Sequence, residues 1–256
     1  FDGGNRSFYD VVIKSGINSA NLRQINFNGN NNIRDVFIQT LASSNHKRIN
    51  FNNSSVFRHV DIDHYGINQG QVYFVTGPHT FSNFVMETFG TGNAYLDMNS
   101  NNSFNTLDLP NGFTMVIASS RTQTTTNFIP RSSCLRRSTI SGNNSTNSII
   151  SQASGTVNSE WITLQNHRVQ GGASFNATDA VISNIVGWTA QTVQPITMYW
   201  VGGTGNWSDP NKWAFTSGGP GNGCIIPKST DHVVFDNASF TASNQTVTLN
   251  QTTTVV

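Results

Sequence analysis

About the first 110 residues repeat one pattern of apolar and polar positions at a nearly constant interval. Each repeat has an apolar residue, two spacers, a second apolar residue, one spacer and a third apolar residue. The first residues of successive triplets lie 25, 24, 24 and 23 positions apart, and we predict that the triplets face the core. The predicted core residues are Phe8, Val11 and Ile13; Ile33, Val36 and Ile38; Phe57, Val60 and Ile62; Phe81, Phe84 and Met86; and Phe104, Leu107 and Leu109.

A second set of apolar residues keeps the same interval and alternates with polar ones, as in short β-strands. Turn-forming Asn, Gly and Ser separate the runs, and no long stretch has the period of a helix. A fixed period of this length is typical of a solenoid, in which each coil buries its apolar face against the next coil. We therefore predict an all-β fold, a right-handed parallel β-helix with coils of about 24 residues over residues 1–188. The shorter strands are predicted at Ile25 and Phe27, Ile49 and Phe51, Val72 and Phe74, and Leu96 and Met98.

Asparagine fills the spaces between these runs, as in "INFNGNNNIRDVFI" (Ile25–Ile38) and "INFNNSSVFRHVDI" (Ile49–Ile62). Asn tolerates left-handed backbone geometry and hydrogen-bonds within its own turn, so it suits the corners of coils. In stacked coils, Asn side chains can also form hydrogen-bonded ladders. A disordered Asn-rich tract is the alternative, but the regularly spaced large apolar residues favour a folded structure.

After Leu109 the interval becomes irregular, and we expect coils of uneven length there. Strands are predicted within Phe113–Ser120 and Ser159–Val169, and a last coil over Ala173–Trp188. Two polar segments are predicted to be projecting loops, Thr122–Thr126 and Ser141–Asn147.

A stretch of another kind, rich in Trp and Gly, begins near residue 198. Residues 189–197 are predicted to form a linker. Residues 198–256 are predicted to form the N-terminal part of a second β-rich unit, because His232–Phe240 and Gln245–Val256 alternate like strands of a new sheet.

The stretch "YWVGGTGNWSDPNKW" (Tyr199–Trp213), followed by "HVVFDNASF" (His232–Phe240), resembles the opening of the repeat units in giant cell-surface adhesins of Bacteroidetes. That family includes the adhesins that drive gliding motility and are exported by the type IX secretion route. The direct match covers about Tyr199–Phe240, and the Asn-rich stretch before it is similar in style to the body of such units. The family's ending appears here as Asp231–Phe240, with Asn237 and Ala238 in swapped order.

The resemblance implies a non-enzymatic, structural or adhesive repeat segment of a large extracellular filament at the cell surface. The partners it implies are neighbouring repeat units of the same polypeptide, the secretion and motility machinery of the cell surface, and surface polysaccharide. The sequence starts at Phe1 without an initiator Met and stops at Val256 within a predicted strand. We therefore expect an internal piece of a longer polypeptide.

Composition and charge narrow the functional classes. Charged residues make up only 11% of the chain and the formal net charge is +1, which gives nucleic acid little electrostatic attraction. Arg131, Arg136 and Arg137 cluster but are too few to follow a phosphate backbone. No apolar run reaches the roughly 18 residues of a membrane-spanning helix. Cys134 and Cys224 lack metal-ligand spacing, and the sequence leaves open whether they form a disulfide.

Asp61 and Asp63, in "DIDHYG", are the strongest candidates for catalysis. Two residues apart in a strand, they face the same outer side, and paired carboxylates there can act as general acid and base on polysaccharides. The simpler explanation is the ordinary alternation of inward apolar and outward polar residues. We therefore predict no enzymatic activity, and a β-helical polysaccharide-active enzyme is the alternative.

The segment "GNWSDPNKW" contains two further candidate sites. Asp209 and Asn211 offer the oxygen ligands that calcium prefers, and calcium is the one cofactor that the sequence suggests. The alternative is a turn over these residues. Trp207 and Trp213 could stack on sugar rings in a carbohydrate-binding module; the alternative is burial of both in the core of the second unit.

Overall fold

The computed structural model describes residues 7–15, 23–40, 47–65 and 70–251. This part of the chain consists of β-strands and turns, with one short 3₁₀ helix. It divides into two compact units, Phe1–Gln191 and Thr192–Val256. The division falls inside the segment 189–197 that the sequence predicts as a linker.

The first unit is a parallel β-helix, and the predicted all-β solenoid is confirmed. Most coils contribute a strand to a first sheet, ordered β1-β3-β5-β7-β9-β11-β13-β16, and a strand to a second sheet, ordered β2-β4-β6-β8-β10-β12-β15-β18. The last coils add a third sheet, β14-β17-β19. The right-handed sense of the helix stays a prediction. The strands are Ser7–Ser15 (β1), Arg23–Phe27 (β2), Asn32–Thr40 (β3), Lys47–Phe51 (β4), Val56–His64 (β5), Gly70–Phe74 (β6), His79–Thr88 (β7), Ala94–Met98 (β8), Asn102–Leu109 (β9), Thr114–Ile117 (β10), Arg121–Pro130 (β11), Ser138–Gly142 (β12), Ser148–Gln152 (β13), Thr156–Glu160 (β14), Ile162–Gln165 (β15), Arg168–Gln170 (β16), Ser174–Thr178 (β17), Val181–Ser183 (β18) and Trp188–Ala190 (β19).

The register of the sheets explains the constant interval in the sequence. Parallel pairing joins residues one coil apart, so that Val36 pairs with Val60 and Val60 pairs with Phe84. Each coil thus places the same column of side chains over the coil before it. Strand β19 extends the third sheet to Ala190, beyond the predicted end of the solenoid at Trp188.

The two spacers inside each triplet mark a shift in the alternation of the long strands. In β5, Phe57 and Val60 are buried, while Arg58 and His59 between them both face outward. Ordinary alternation then resumes with buried Ile62. The same shift recurs in the stacked strands. Each triplet therefore has two residues between its first and second apolar residues but only one between its second and third.

Two columns of phenylalanine rings fill the centre of the early coils. Neighbouring rings in a column are nearly parallel, with centroids 4.9 to 5.3 Å apart. Rings of different columns meet edge to face, as Phe51 and Phe81 do at 5.7 Å. Full burial of each such side chain stabilises the fold by about 1.5–3 kcal/mol. The columns are Phe27, Phe51 and Phe74 on the second sheet, and Phe57, Phe81 and Phe104 on the first.

The structure buries the predicted core residues between Ile33 and Leu109, each at most 3% exposed. Val11 is partly buried and packs against this core. The side chains of Phe8 and Ile13 lie outside the described residues. The buried set is Ile33, Val36, Ile38, Phe57, Val60, Ile62, Phe81, Phe84, Met86, Phe104, Leu107 and Leu109.

The predicted loop at Thr122–Thr126 is wrong, because these residues lie within β11 and pair with β9 and β13. Gln123 and Thr125 are buried, and Thr125 takes the inward position that Phe104 fills one coil earlier. Gln123 Nε2 donates to the carbonyl of Ser100 at 2.8 Å, and Thr125 Oγ1 donates to Gln152 Oε1 at 3.1 Å. The second predicted loop, Ser141–Asn147, starts too early, because β12 continues to Gly142.

The predicted asparagine ladders are confirmed. In each step, Nδ2 of one Asn donates to Oδ1 of an Asn one coil earlier, at 2.6 to 2.9 Å. Asn53 also adopts a positive φ of 64°, the left-handed geometry expected at a corner. The ladder bonds run from Asn50 to Asn26, from Asn52 to Asn28, from Asn176 to Asn158 and from Asn184 to Asn166.

The second unit has short strands around a tryptophan core. Strand β20 pairs in parallel with β23 and antiparallel with β22, and β21 pairs in parallel with β24. The strands are shorter than the predicted ones, and residues 252–256 lie outside the described residues. The elements are Thr197–Trp200 (β20), Gly205–Asn206 (β21), the 3₁₀ helix Pro210–Lys212, Trp213–Ala214 (β22), His232–Val234 (β23) and Val247–Thr248 (β24).

Candidate functional site

The outer face of the first sheet carries a group of carboxylates near the carboxyl ends of β5, β7 and β9. Asp61 and Asp63 both lie on this face, between buried residues of β5, as the alternation predicts. The register places Glu87 beside Asp63, and Asp108 beside Val85 in the next strand. Neighbouring strands lie roughly 4.8 Å apart, so Asp63 and Glu87 are adjacent on the surface.

The environment of Asp61 disfavours its charged form. Partial burial raises the pKa of this carboxyl, the negative charges of Asp63 and Glu87 raise it further, and His59 opposes the rise. A carboxyl with a raised pKa beside other carboxylates is a common feature of acid–base sites. Crowding of like charges on a polar surface produces the same effect, so this feature alone assigns no reaction.

A cleft of about 250 Å³ opens beside these carboxylates, between the ends of β7 and β9 and the residues that follow β11. Asp108 and Arg131 line it and form a two-point ion pair. Arg131 Nε donates to Asp108 Oδ1 at 2.7 Å, and Nη2 donates to Oδ2 at 2.6 Å. The hydrogen bond to Asp108 raises the pKa of the Arg131 guanidinium. Both groups are thereby held in one orientation.

Arg136 and Phe89 complete the walls of the cleft. Arg136 Nη2 donates to the carbonyl of Gly92 at 2.6 Å, which fixes the guanidinium against the turn before β8. The ring of Phe89 is 55% exposed and stacks on Tyr65, with centroids 4.7 Å apart and planes 14° from parallel. The cleft therefore joins a solvent-exposed aromatic face to fixed charged groups.

Sequence reasoning identified the outward position of Asp61 and Asp63 but not this cleft. Its members come from different coils, and the constant interval is the signal that relates them. Phe89 follows Tyr65 by one coil, and Arg131 lies 23 residues after its partner Asp108. Assigning part of β11 to a loop hid the relation between Arg131 and Asp108.

The tryptophans proposed as a sugar platform are buried in the second unit. Trp207 is 4% exposed and Trp213 is fully buried, and their rings meet edge to face at 4.7 Å. Trp213 Nε1 donates to the backbone carbonyl of Trp207 at 2.8 Å. These rings therefore present no stacking surface to a saccharide, and they fill the core as the alternative interpretation predicted.

Asp209 and Asn211 form a turn. Asp209 caps the short helix Pro210–Lys212, and its Oδ1 accepts from the backbone N–H of Asn211 at 3.0 Å and from Asn211 Nδ2 at 3.1 Å. Asn211 thus turns donors, rather than oxygen ligands, toward the carboxylate, which does not fit calcium. Among the residues that the structure describes, no group of three or more His, Cys, Asp or Glu side chains is placed to hold a metal ion.

Within the described ranges, no helix has the length and apolar character needed to cross a bilayer. Comparison of the chain with known protein families, with curated proteins and with solved structures finds no match.

Proposed function

We propose that this chain is a rigid, non-enzymatic structural or adhesive segment of a large secreted cell-surface protein. The observation that carries the proposal is the pair of parallel ladders, each with eight strands in the described part of the first unit. Their hydrogen bonds run along the stack, so backbone bonds and a shared core hold each coil to the next. A stack of this kind is stiff and is lengthened by adding coils.

Two further features support this role. The low content of charged residues and the exposed Asn ladders suit a β protein that works outside the cell. The resemblance of Tyr199–Phe240 to the repeat units of giant Bacteroidetes adhesins supports a tandem arrangement, export by the type IX route and, more specifically, a role in gliding. Under this proposal the partners are neighbouring repeat units, the surface secretion and motility machinery, and surface polysaccharide.

The test is the denatured mass and surface exposure of the native polypeptide in its source cells. Peptides that contain Gly205–Trp213 identify it in a gel slice by mass spectrometry. We expect a mass many times the 27.9 kDa of this chain, and cleavage by protease added to intact cells. A mass only slightly above 27.9 kDa, or full protection of the polypeptide in intact cells, would contradict the proposal.

A second candidate function is that of a polysaccharide-active enzyme. The specific observation in its favour is the raised pKa of Asp61 beside Asp63 and Glu87 on one outer face. Such an enzyme would release new chain ends from acidic polysaccharides, and the Asp61→Asn, Asp63→Asn double variant would lose this turnover while it stays folded. An inactive wild-type chain, or equal turnover by the double variant, would remove this candidate.

A further inference from the structure

The cleft beside Glu87 offers one feature that sugar rings require, an exposed flat aromatic surface. The Phe89 ring is more than half exposed, and stacking on Tyr65 supports its other face. The C–H face of a pyranose ring packs favourably against such a ring, because both surfaces are flat and apolar. Phe89 is held at the wall of a concave site, where a bound ring would also reach polar groups.

The polar groups of the cleft suit hydroxyls. The carboxylates of Glu87 and Asp108 accept hydrogen bonds, and the guanidiniums of Arg131 and Arg136 donate them. The ion pair with Arg131 holds Asp108 in place, and the bond to Gly92 holds Arg136. Donors and acceptors that are already oriented lose little conformational entropy when they bind a ligand.

The charges that line the cleft balance one another. They are two carboxylates, Glu87 and Asp108, and two guanidiniums, Arg131 and Arg136. A chain of uronic acids would therefore find no excess of positive charge here, whereas an uncharged saccharide needs none.

We propose that this cleft binds a neutral saccharide, with one sugar ring stacked on Phe89 and its hydroxyls bonded to Glu87 and Asp108. The inference deepens the adhesive function proposed above and rests on that function for its biological role. It assigns the class of ligand and the surface that contacts it.

The test is affinity electrophoresis of the 256-residue chain in gels that contain a single polysaccharide. The neutral probes are dextran, laminarin and galactomannan, and the acidic probes are polygalacturonate and alginate. We expect retardation by at least one neutral probe. Phe89→Ala should weaken that binding at least tenfold and Glu87→Gln at least threefold.

Two matched variants control for nonspecific effects. Phe215→Ala removes an aromatic ring that is also 55% exposed but lies in the second unit, and Glu160→Gln removes an exposed Glu on β14. Both should bind like the wild-type chain, and circular dichroism should show all four variants folded.

No retardation by any neutral probe, retardation only by the acidic probes, or equal binding by Phe89→Ala and the wild type would overturn the assignment. The assay does not depend on native mass or cellular location. Absence of binding would therefore leave the structural proposal standing, and a small native mass would leave the saccharide cleft standing.

Discussion

The early and the later coils of the first unit follow the same backbone plan but fill their interiors differently. Up to Phe104, one inner column of the first sheet consists of phenylalanine rings that stack on one another. The column that contains Phe104 then continues through Thr125, which pairs with Phe104, and Gln152, which pairs with Thr125. The backbone ladder therefore sets the fold, and the interior accepts polar residues where each finds a partner.

In this column the later coils depend on specific hydrogen bonds, whereas the early coils depend on buried apolar area. Elsewhere the later coils still bury apolar side chains such as Ile140, Ile150 and Leu164. Gln152 Oε1 accepts from Thr125 Oγ1 at 3.1 Å and from the backbone N–H of Phe128 at 3.0 Å. A Phe column loses packing gradually as its rings shift, whereas a buried amide loses a whole bond when its partner is removed. Variants in the two regions should therefore differ in both size and mechanism.

The largest expected effect is that of Val60→Asp in an early coil. An unpaired carboxylate would replace a fully buried side chain, and we expect a loss of about 5 kcal/mol or failure to fold. Urea denaturation followed by circular dichroism measures it. Asp61→Ala, one residue further and facing outward, should change the free energy of unfolding by less than about 0.5 kcal/mol. Equal effects of the two changes would show that the assigned register is wrong.

The next largest effect compares an early and a later residue of the inner column that contains Phe104. Phe81 stacks between Phe57 and Phe104, and Phe81→Ala should cost about 3–5 kcal/mol through lost burial and the cavity left behind. Thr125→Ala, later in this column, should cost only about 1 kcal/mol, because Gln152 keeps its bond from Phe128. Both free energies come from the same denaturation assay. A larger loss for Thr125→Ala than for Phe81→Ala would contradict the distinction between the regions.

Each region also buries a neutral histidine, which makes stability depend on pH. Burial lowers the pKa of His79, among the early Phe rings, and of His167, in a later coil, to about 4 in both cases. Below about pH 6.5 the unfolded chain takes up protons that the folded chain does not. The free energy of unfolding should therefore fall as pH drops from about 6.5 to 4, by about 3 kcal/mol for each histidine. Above about pH 6.5 both histidines are neutral in the folded and the unfolded chain, so the full stability is present there.

Denaturation at pH 7 and pH 4.5 measures this dependence. His79→Phe places another aromatic ring among Phe51, Phe74 and Phe81 and should remove the part of the pH dependence that His79 contributes. His167 should retain its part, because its Nδ1–H donates to the Gln165 carbonyl and its Nε2 accepts from Trp188 Nε1 at 3.0 Å. An unchanged pH dependence in His79→Phe would contradict the assignment.

The smallest expected effect concerns the buried amides of the later coils. Gln152→Ala leaves the backbone N–H of Phe128 without its side-chain acceptor and should cost about 1–3 kcal/mol. Asn184→Ala is the control, because it removes an exposed ladder bond to Asn166 and should cost less than about 0.5 kcal/mol. If both changes are silent in the denaturation assay, the buried bonds of this region do not stabilise it.

The same difference explains how much of the fold was predictable from the sequence. The triplets of the early coils indicate inward positions because Phe, Val and Ile leave few other places for a folded chain to put them. Thr125 and Gln152 occupy inward positions equivalent to Phe104, and Gln123 occupies the one equivalent to Asn102, but all three are polar. Their burial depends on partners in other coils, which a local pattern does not contain.

The candidate site was also predictable only in part, because its residues come from different coils. Alternation alone places Asp61 and Asp63 on the outer face. To predict the cleft, one must know which coils hold Arg131 and Phe89. The register of β11 places Arg131 beside Asp108, and the stacking of Phe89 on Tyr65 relates two successive coils. For Trp213, burial was one of two alternatives that the sequence left open, and the hydrogen bond from its Nε1 to the Trp207 carbonyl satisfies the buried indole N–H.

The coil register also determines how the first unit would respond to tension. Val36 and Val60 occupy equivalent points of successive coils, so one coil contains 24 residues. A coil peeled from the end of the stack would release roughly 80 Å of extended chain at about 3.4 Å per residue. A pulled solenoid would thus lengthen in steps set by the length of each coil, from 25 residues at the first coil to 18 among the last, and would absorb work at each step.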